Sequence, residues 1–197
     1  MKIKTFKAAV LYKINKPLKF IDCKIPILKK GQVLIKNSYS GICRSQIMEI
    51  DGLRGKDKWL PHLLGHEGVG KVIRIGKGVS KVRVGDTIIS SWIRGEGLDV
   101  KIDNIYSVND EKINSGKVTT FSEYSVVSEN RVFLKPNNIS TEIASLLGCA
   151  IPTGCGKILN LKNIIPIKSK ILVFGLGGIG LLTFLALNSF GYKNLYF

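Results

Sequence analysis

Three residues far apart in the chain carry the chemistry that this sequence offers. They are Cys43 in Gly41-Ile42-Cys43-Arg44-Ser45, His66 in Gly65-His66-Glu67-Gly68-Val69-Gly70, and Cys149 in Gly148-Cys149-Ala150. Two thiolates and one imidazole suit Zn²⁺, and three protein ligands leave an open position for catalysis. Ligands this widely separated are not joined by spacing, so the residues raise a metal site without fixing it. A fourth feature is Gly175-Leu176-Gly177-Gly178-Ile179-Gly180, which matches G-x-G-x-x-G with an extra glycine inside. In that pattern the first glycine allows a tight turn, the second lets the backbone approach a pyrophosphate, and the third lets helix pack on strand. The helix N-terminus then presents its unpaired N–H groups and partial positive charge to the phosphates. A glycine-rich turn in an unrelated α/β unit is the bland alternative.

Something must position these groups. Short segments rich in Val, Ile and aromatics recur at Phe6–Tyr12, Val33–Ser38, Gly68–Ile75, Asp86–Trp92, Phe121–Val127 and Arg131–Lys135. Turn residues usually bound them, which predicts a barrel or sandwich. Gly95–Gly116 is polar and weakly patterned and reads as an excursion loop. From Ser140 the pattern changes. Ser140 and Glu142 signal the start of a helix over Thr141–Leu147, and a second helix is predicted from Gly154 to about Leu161. Lys170–Phe174 then reads as an apolar strand, Leu181–Ser189 as a helix and Asn194–Phe197 as another strand. The glycine motif thus lies between strand and helix, where its phosphate-binding reading requires it to be.

Composition bounds the class. In 197 residues, 45% are hydrophobic and 22% charged, a globular balance with enough apolar residues for a core. Met1–Tyr12 lacks the apolar run of a signal peptide. Ile171–Leu187 is broken by glycines and reads as buried structure, not a membrane span. The expectation is a soluble, cytoplasmic protein with no membrane partner. Thirty Lys and Arg against 14 Asp and Glu give +16. The lysines are scattered, without a basic run or an aromatic-interleaved motif, so no nucleic-acid partner is expected. The abundance of Lys, Asn and Ile fits AT-rich coding. Four cysteines without a CxxC pair in such a chain point away from disulfides.

The four quoted stretches, the last extended as Gly148-Cys149-Ala150-Ile151-Pro152-Thr153-Gly154, resemble the zinc-dependent alcohol dehydrogenases, medium-chain dehydrogenase/reductases. Val84-Gly85-Asp86 and Thr119 to Tyr124 fit as well, in the same order over nearly the whole chain. The resemblance is closest to the alcohol dehydrogenase and glutathione-dependent formaldehyde dehydrogenase branch. It implies a mixed fold: a GroES-like β-barrel catalytic domain over residues 1–150, then the beginning of an NAD(P)-binding Rossmann α/β domain over 151–197. It implies Cys43, His66 and Cys149 as ligands of one catalytic zinc, with Glu67 as the acidic neighbour of that metal. Ser45 would bond the substrate oxygen and start proton release. Arg44 would contact the cofactor pyrophosphate, Thr153 the nicotinamide, and Gly175, Leu176, Gly177, Gly178, Ile179 and Gly180 the dinucleotide phosphates. Trp92 would line the substrate pocket. Zinc would act as a Lewis acid on a small alcohol while hydride passes to NAD or NADP, the reverse reaction reducing an aldehyde. The acidic residue that separates NAD from NADP is not reached by Phe197.

The chain departs from the family at several places. Gln46 stands where the family has an Asp that bonds the zinc-ligating histidine, and Met48 where some members have a proton-relaying His. The cysteine lobe for a structural zinc is missing from Gly95–Gly116, so one zinc is expected, not two. Cys23 and Cys155 match no role, Cys155 reading as a small apolar filler, and His62 is expected at the surface or in a structural role. The nucleotide-binding domain has perhaps two of about six strands, which implies weak or no turnover by these 197 residues alone. The full-length protein would be a homodimer or homotetramer. Two alternatives stay open: a zinc-free reductase of the same superfamily, and a non-catalytic binding module.

Overall fold

A computed structural model of the chain describes residues 4–102, 106–109 and 111–197. It divides into two compact units, Met1–Gly148 and Cys149–Phe197. The first unit runs in order through β1 (Thr5–Leu11), β2 (Lys19–Lys24), β3 (Gln32–Ser40), α1 (Arg44–Ile50), β4 (His62–Leu63), β5 (Glu67–Ile75), β6 (Thr87–Ser91), β7 (Tyr106–Val108), β8 (Glu111–Ile113), β9 (Tyr124–Ser128), β10 (Val132–Leu134) and α2 (Thr141–Ala144). A 3-10 turn carries α2 on to Gly148.

β3 organises this unit. It lies inside a five-stranded antiparallel sheet of order β10-β6-β5-β3-β9. Successive strand residues point to opposite faces, and both faces of β3 are covered. Leu34 packs with Phe6, Val10, Tyr106, Tyr124 and Val126. Val33 and Ile35 pack on the other side with Val72, Ile88, Val127 and Val132. A strand buried on both faces reads as a continuous apolar run, which Val33-Leu34-Ile35 is. A second sheet of order β2-β1-β4 supplies part of the first of these cores.

The segment read as an excursion loop is more ordered than that. Residues 103–105 and 110 lie outside the described residues, but around them β7 and β8 form an antiparallel pair, Tyr106 facing Ile113. Ile102, Tyr106 and Ile113 are each at most 1% exposed in the core. The Tyr106 hydroxyl accepts from the Val126 N–H at 2.7 Å. Three apolar side chains spaced among polar ones gave too weak a period to register as strands. β2, β4 and α1 were also not anticipated, being short or lacking a clear alternation.

The second unit holds α3 (Ala150–Leu161), β11 (Ile171–Leu172), α4 (Gly178–Ser189) and β12 (Leu195–Tyr196). β11 and β12 pair in parallel, Ile171 with Leu195, and α4 is the crossover between them. Parallel neighbours require such a connection. Ile158, Ala186, Leu187 and Tyr192 form its core. α3 begins four residues before the predicted Gly154, because Pro152 falls in its first turn, where an N–H has no intrahelical partner to lose. Gly154 lets the two helices touch: a Cβ there would sit 2.6 Å from the Leu182 Cβ. Among the described residues no single helix is long and apolar enough to cross a membrane.

One buried carboxylate ties the loops of the first unit. Glu129 is 1% exposed and accepts N–H bonds from Ser80 at 2.6 Å, Lys81 at 2.8 Å and Leu98 at 2.9 Å. Burial alone would raise its pKa, but the Leu98, Ser80 and Lys81 N–H groups hold it below the ordinary glutamate value. The unfolded chain therefore takes up this proton first as pH falls. The stabilisation is complete above the unfolded value of about 4.3 and is lost as pH drops through the folded one. Glu129→Gln is expected to cost about 1–3 kcal/mol at neutral pH by denaturant titration. The gap between wild type and variant should shrink below pH of about 4; a gap that stays constant with pH would show that the charge does not matter.

Candidate metal centre

His66 owes its position to its glycine neighbour. Gly65 has φ +86°, and a Cβ there would lie 2.9 Å from the Phe121 N and 2.7 Å from the Phe121 ring. That left-handed turn reverses the chain between β4 and β5 and is open to glycine at little cost. The Leu64 carbonyl on its near side accepts from the N–H groups of Thr120 and Phe121 at 3.0 and 3.1 Å. Thr120 in turn donates through its hydroxyl to the Glu67 carbonyl at 3.0 Å. His66 therefore leaves the chain between two anchored residues.

Cys43 is brought to the same place through Glu67. The Gly41 N–H donates to the Glu67 carbonyl at 3.2 Å. A Cβ on Gly41 would lie 2.6 Å from the Glu67 carboxyl, so only glycine leaves room for that buried side chain. Two residues on, Cys43 is the N-cap of α1. The third segment arrives at the same residue. A Cβ on Gly148 would lie 2.7 Å from the Glu67 Cβ, and the Ser91 hydroxyl donates to the Gly148 carbonyl at 2.7 Å. Gly148 closes the first unit, and Cys149 is peptide-bonded to it, so the end of that unit sets where Cys149 begins.

The outcome within the first unit is a pair of donors, a ligand atom of Cys43 within 4.8 Å of one of His66, and the chain leaves that unit at Gly148, one residue before Cys149. All four cysteines of the chain are thiols. The His66 Nε2 and the Ser45 hydroxyl oxygen are both buried and without a hydrogen-bond partner. Buried polar atoms are rarely left so, and a bound ion or water is the common partner of those that are. Burial, assisted by the positive charge of Arg54, lowers the His66 pKa below its usual value, which favours the neutral imidazole that a metal needs. The residues present therefore fit a zinc: the donor types are right and a nitrogen is left unpaired.

Gln46 touches two of these residues at once. Its Oε1 accepts from the Cys43 N–H at 3.1 Å, and its Nε2 faces the His66 Nδ1. The direction of the first bond is not a matter of assignment, since a backbone N–H only donates. The amide NH₂ is then left to donate to Nδ1, which places the imidazole proton on Nε2. A metal at Nε2 requires the opposite tautomer, with Nδ1–H donating outward. One amide oxygen does not serve the Cys43 N–H and an Nδ1–H together, whereas the two oxygens of a carboxylate do. α1 was not anticipated, but Cys43-x-x-Gln46 carries the capping-box spacing that announces it.

The remaining residues divide between the units. Arg44 is exposed on the first residue of α1, and Glu67, 1% exposed, opens β5. Trp92 follows β6, is 52% exposed, and its carbonyl accepts from Arg131. In the second unit the Thr153 hydroxyl donates to the Cys149 carbonyl at 2.7 Å. Gly175 has φ +85°, Gly177 caps α4, and a Cβ on Gly180 would run into the Gly175 carbonyl. No atom lies within 4 Å of where a Cβ on Gly175, Gly177 or Gly178 would stand, so that side of the loop is open. Cys23 is fully buried, which pushes its thiol up to about 11. Cys155 donates to the Leu182 carbonyl at 3.4 Å. Neither carries ligand chemistry. Of the two expectations for His62, surface or structural, burial excludes the surface, and its Nε2 lies 2.8 Å from Asp57 Oδ2, a contact that sequence reasoning did not foresee.

These features agree with what the chain resembles. The alcohol dehydrogenase GroES-like domain matches residues 29–137. S-(hydroxymethyl)glutathione dehydrogenase of Synechocystis sp. is 30% identical over 199 residues, covering 89% of this chain and 53% of that protein. The Escherichia coli protein of the same name is 32% identical with the same coverage. The chain spans about half the length of these curated relatives. Among solved structures, the alcohol dehydrogenase zinc-binding domain protein from Burkholderia ambifaria matches with a TM-score of 0.85 at 22% identity, over 98% of this chain and 58% of that one. The 2R,3R-butanediol dehydrogenase from Bacillus subtilis matches with a TM-score of 0.72 at 26% identity, over 97% and 57%. With its GroES-like domain matched over more than half of its residues and its fold shared with these enzymes, the chain belongs to the zinc-dependent alcohol dehydrogenase family of medium-chain dehydrogenase/reductases.

Proposed function

We propose that Cys43, His66 and Cys149 hold one Zn²⁺ and that the whole protein transfers hydride between a small alcohol and NAD(P)⁺. The observation that carries this reading is a Cys43 ligand atom within 4.8 Å of one of His66, whose buried Nε2 has no hydrogen-bond partner, with Gly148, the residue before Cys149, packed against the neighbouring Glu67. When bound, zinc supplies Lewis-acid polarisation of the substrate oxygen.

The chain's own residues divide the other tasks. The Ser45 hydroxyl, buried and without a partner, takes a hydrogen bond from the substrate hydroxyl and passes its proton on. Met48 has no atom that relays a proton, so the proton leaves through water or a cofactor hydroxyl. Glu67 places a buried carboxyl next to the ligand His66 and balances charge there. The loop Gly175–Gly180 offers a pyrophosphate an open backbone face and the N–H groups of α4, which no side chain caps. Arg44 adds a cation for that phosphate, Thr153 a contact for the nicotinamide, and Trp92 an aromatic wall for the substrate.

Zinc per chain, measured by elemental analysis on folded, metal-replete protein, tests the reading. Cys149→Ser is expected to lose about one zinc per chain relative to wild type. No difference between the two, in folded samples, would refute the site and leave the zinc-free reductase as the better account. The single oxygen of Gln46 generates a second expectation. Gln46→Glu satisfies the Cys43 N–H and an Nδ1–H at once. It should bind zinc about 10- to 100-fold more tightly in competition with a chromophoric chelator. Equal affinities would show that Gln46 does not oppose metal loading.

A further inference from the structure

A second group of potential ligands lies at the other end of α1. One ligand atom each from Glu49, Asp57 and His62 falls within 4.8 Å of the other two. Glu49 is in the last turn of α1, Asp57 in the connection to β4, and His62 opens β4. His62 Nε2 is 2.8 Å from Asp57 Oδ2 and 4.0 Å from Glu49 Oε1. The His62 and Asp57 side chains are 7% and 9% exposed and that of Glu49 30%.

The partner of the other ring nitrogen decides what this group does. His62 Nδ1 lies 3.0 Å from the Leu63 carbonyl oxygen, which only accepts. Nδ1 therefore carries a proton. Nε2 and two carboxylate groups then face one another, and together they offer a cation nitrogen and oxygen donors from three directions. A ligating histidine nearly always has its other N–H on a carbonyl or carboxylate, and ligating carboxylates are themselves hydrogen-bonded. Leu63 meets the first condition by holding Nδ1, and Asp57 meets the second, its Oδ1 accepting from the Trp59 N–H at 2.8 Å. Glu49 has a charged neighbour instead, with Arg54 4.0 Å from its Oε2. Glu49 and His62 also line a cavity of about 370 Å³. It gives an ion access and room for the waters that complete its shell.

We propose that Glu49, Asp57 and His62 form a second divalent-cation site, separate from the cysteine–histidine cluster. Two carboxylates and one imidazole contain no thiolate. The set therefore suits a first-row cation of borderline hardness such as Mn²⁺ or Zn²⁺. Its role is to clamp the end of α1 to the strand that leads into His66. The inference does not depend on the hydride-transfer reading, because none of its ligands belongs to the first cluster.

Mn²⁺ is the probe, since it competes poorly for thiolates. The 197-residue chain, dialysed free of divalent metal, is titrated with MnCl₂ and free Mn²⁺ is followed by electron paramagnetic resonance. One Mn²⁺ per chain is expected. Glu49→Gln should weaken it at least tenfold. Glu49 is partly exposed, so this variant keeps the fold, which thermal unfolding without Mn²⁺ verifies. His62→Gln should abolish binding, and Cys149→Ser should leave it unchanged. No Mn²⁺ binding below about 1 mM by the folded wild type, or equal binding by wild type and Glu49→Gln, would overturn the site. The triad would then be a hydrogen-bonded histidine–carboxylate group that holds no metal. Mn²⁺ lost in Cys149→Ser would equally overturn it, by showing that the ion had entered the first cluster.

Discussion

Everything at the first cluster depends on three backbones approaching one buried glutamate closely enough that no Cβ fits between them. Gly41 clears the carboxyl of Glu67, Gly148 clears its Cβ, and Gly68, the next residue, lies where a Cβ would stand 2.7 Å from the Tyr39 carbonyl. Each contact is steric and short in range. Together they make the end of β3, the start of β5 and the residue before Cys149 converge on a volume smaller than a side chain. Cys43 and His66 are adjacent because the backbones carrying them are adjacent, and Gly148 brings the chain to the same glutamate one residue before Cys149. Placing an alanine at any of these positions forces backbone to move, since the obstructing atoms belong to main chain or to a side chain that is itself buried.

α1 adds a second level of order. It is seven residues long, and Cys43, Gln46 and Glu49 fall at intervals of three along it. Residues three apart are neighbours on a helix surface. The cap position offers a sulfur, the third residue reaches the imidazole partner, and the last turn offers a carboxylate to His62. Two turns of helix thus contribute to two different donor sets. Arg54 connects them electrostatically: its charge lies near Glu49 and also acts on His66. A cation gained or lost at either set changes the field at the other, and the net charge of +16 gives that field few acidic groups to compensate it.

The fold was legible wherever burial enforces a period. Val33-Leu34-Ile35 stands out because both faces are covered and the run is unbroken, whereas the strand before the glycine loop, with Leu172 51% and Phe174 90% exposed, stands out by its unbroken apolar run alone. β7 and β8 did not, because their core residues, Tyr106 and Ile113, are single apolar positions among polar ones. The donor residues were legible by type, since His66 and two of the cysteines sit in glycine-flanked motifs. Their convergence was not, because it is enforced by the Glu67 contacts of Gly41 and Gly148, and no spacing in the chain encodes a contact between residues so far apart. The Glu49–Asp57–His62 group was missed for a related reason. Nothing in the composition of Asp51–Leu60 distinguishes a carboxylate that turns inward from one that faces water.

The two histidines show how the second nitrogen of a ring settles the use of the first. His62 has Nδ1 on a carbonyl, which only accepts, so its Nε2 turns to the carboxylates either as a donor or as a lone pair for a cation. His66 has Nδ1 on an amide committed through its oxygen to the Cys43 N–H, so its Nε2 holds a proton with no acceptor near it. The geometry that completes a helix cap thus opposes the tautomer that a metal requires. A metal held at Nε2 as proposed would require the Gln46 amide to turn over and release the Cys43 N–H from its bond. The free energy of that exchange would oppose the ion. A side chain with two acceptor oxygens would remove the conflict without moving any other atom of the site.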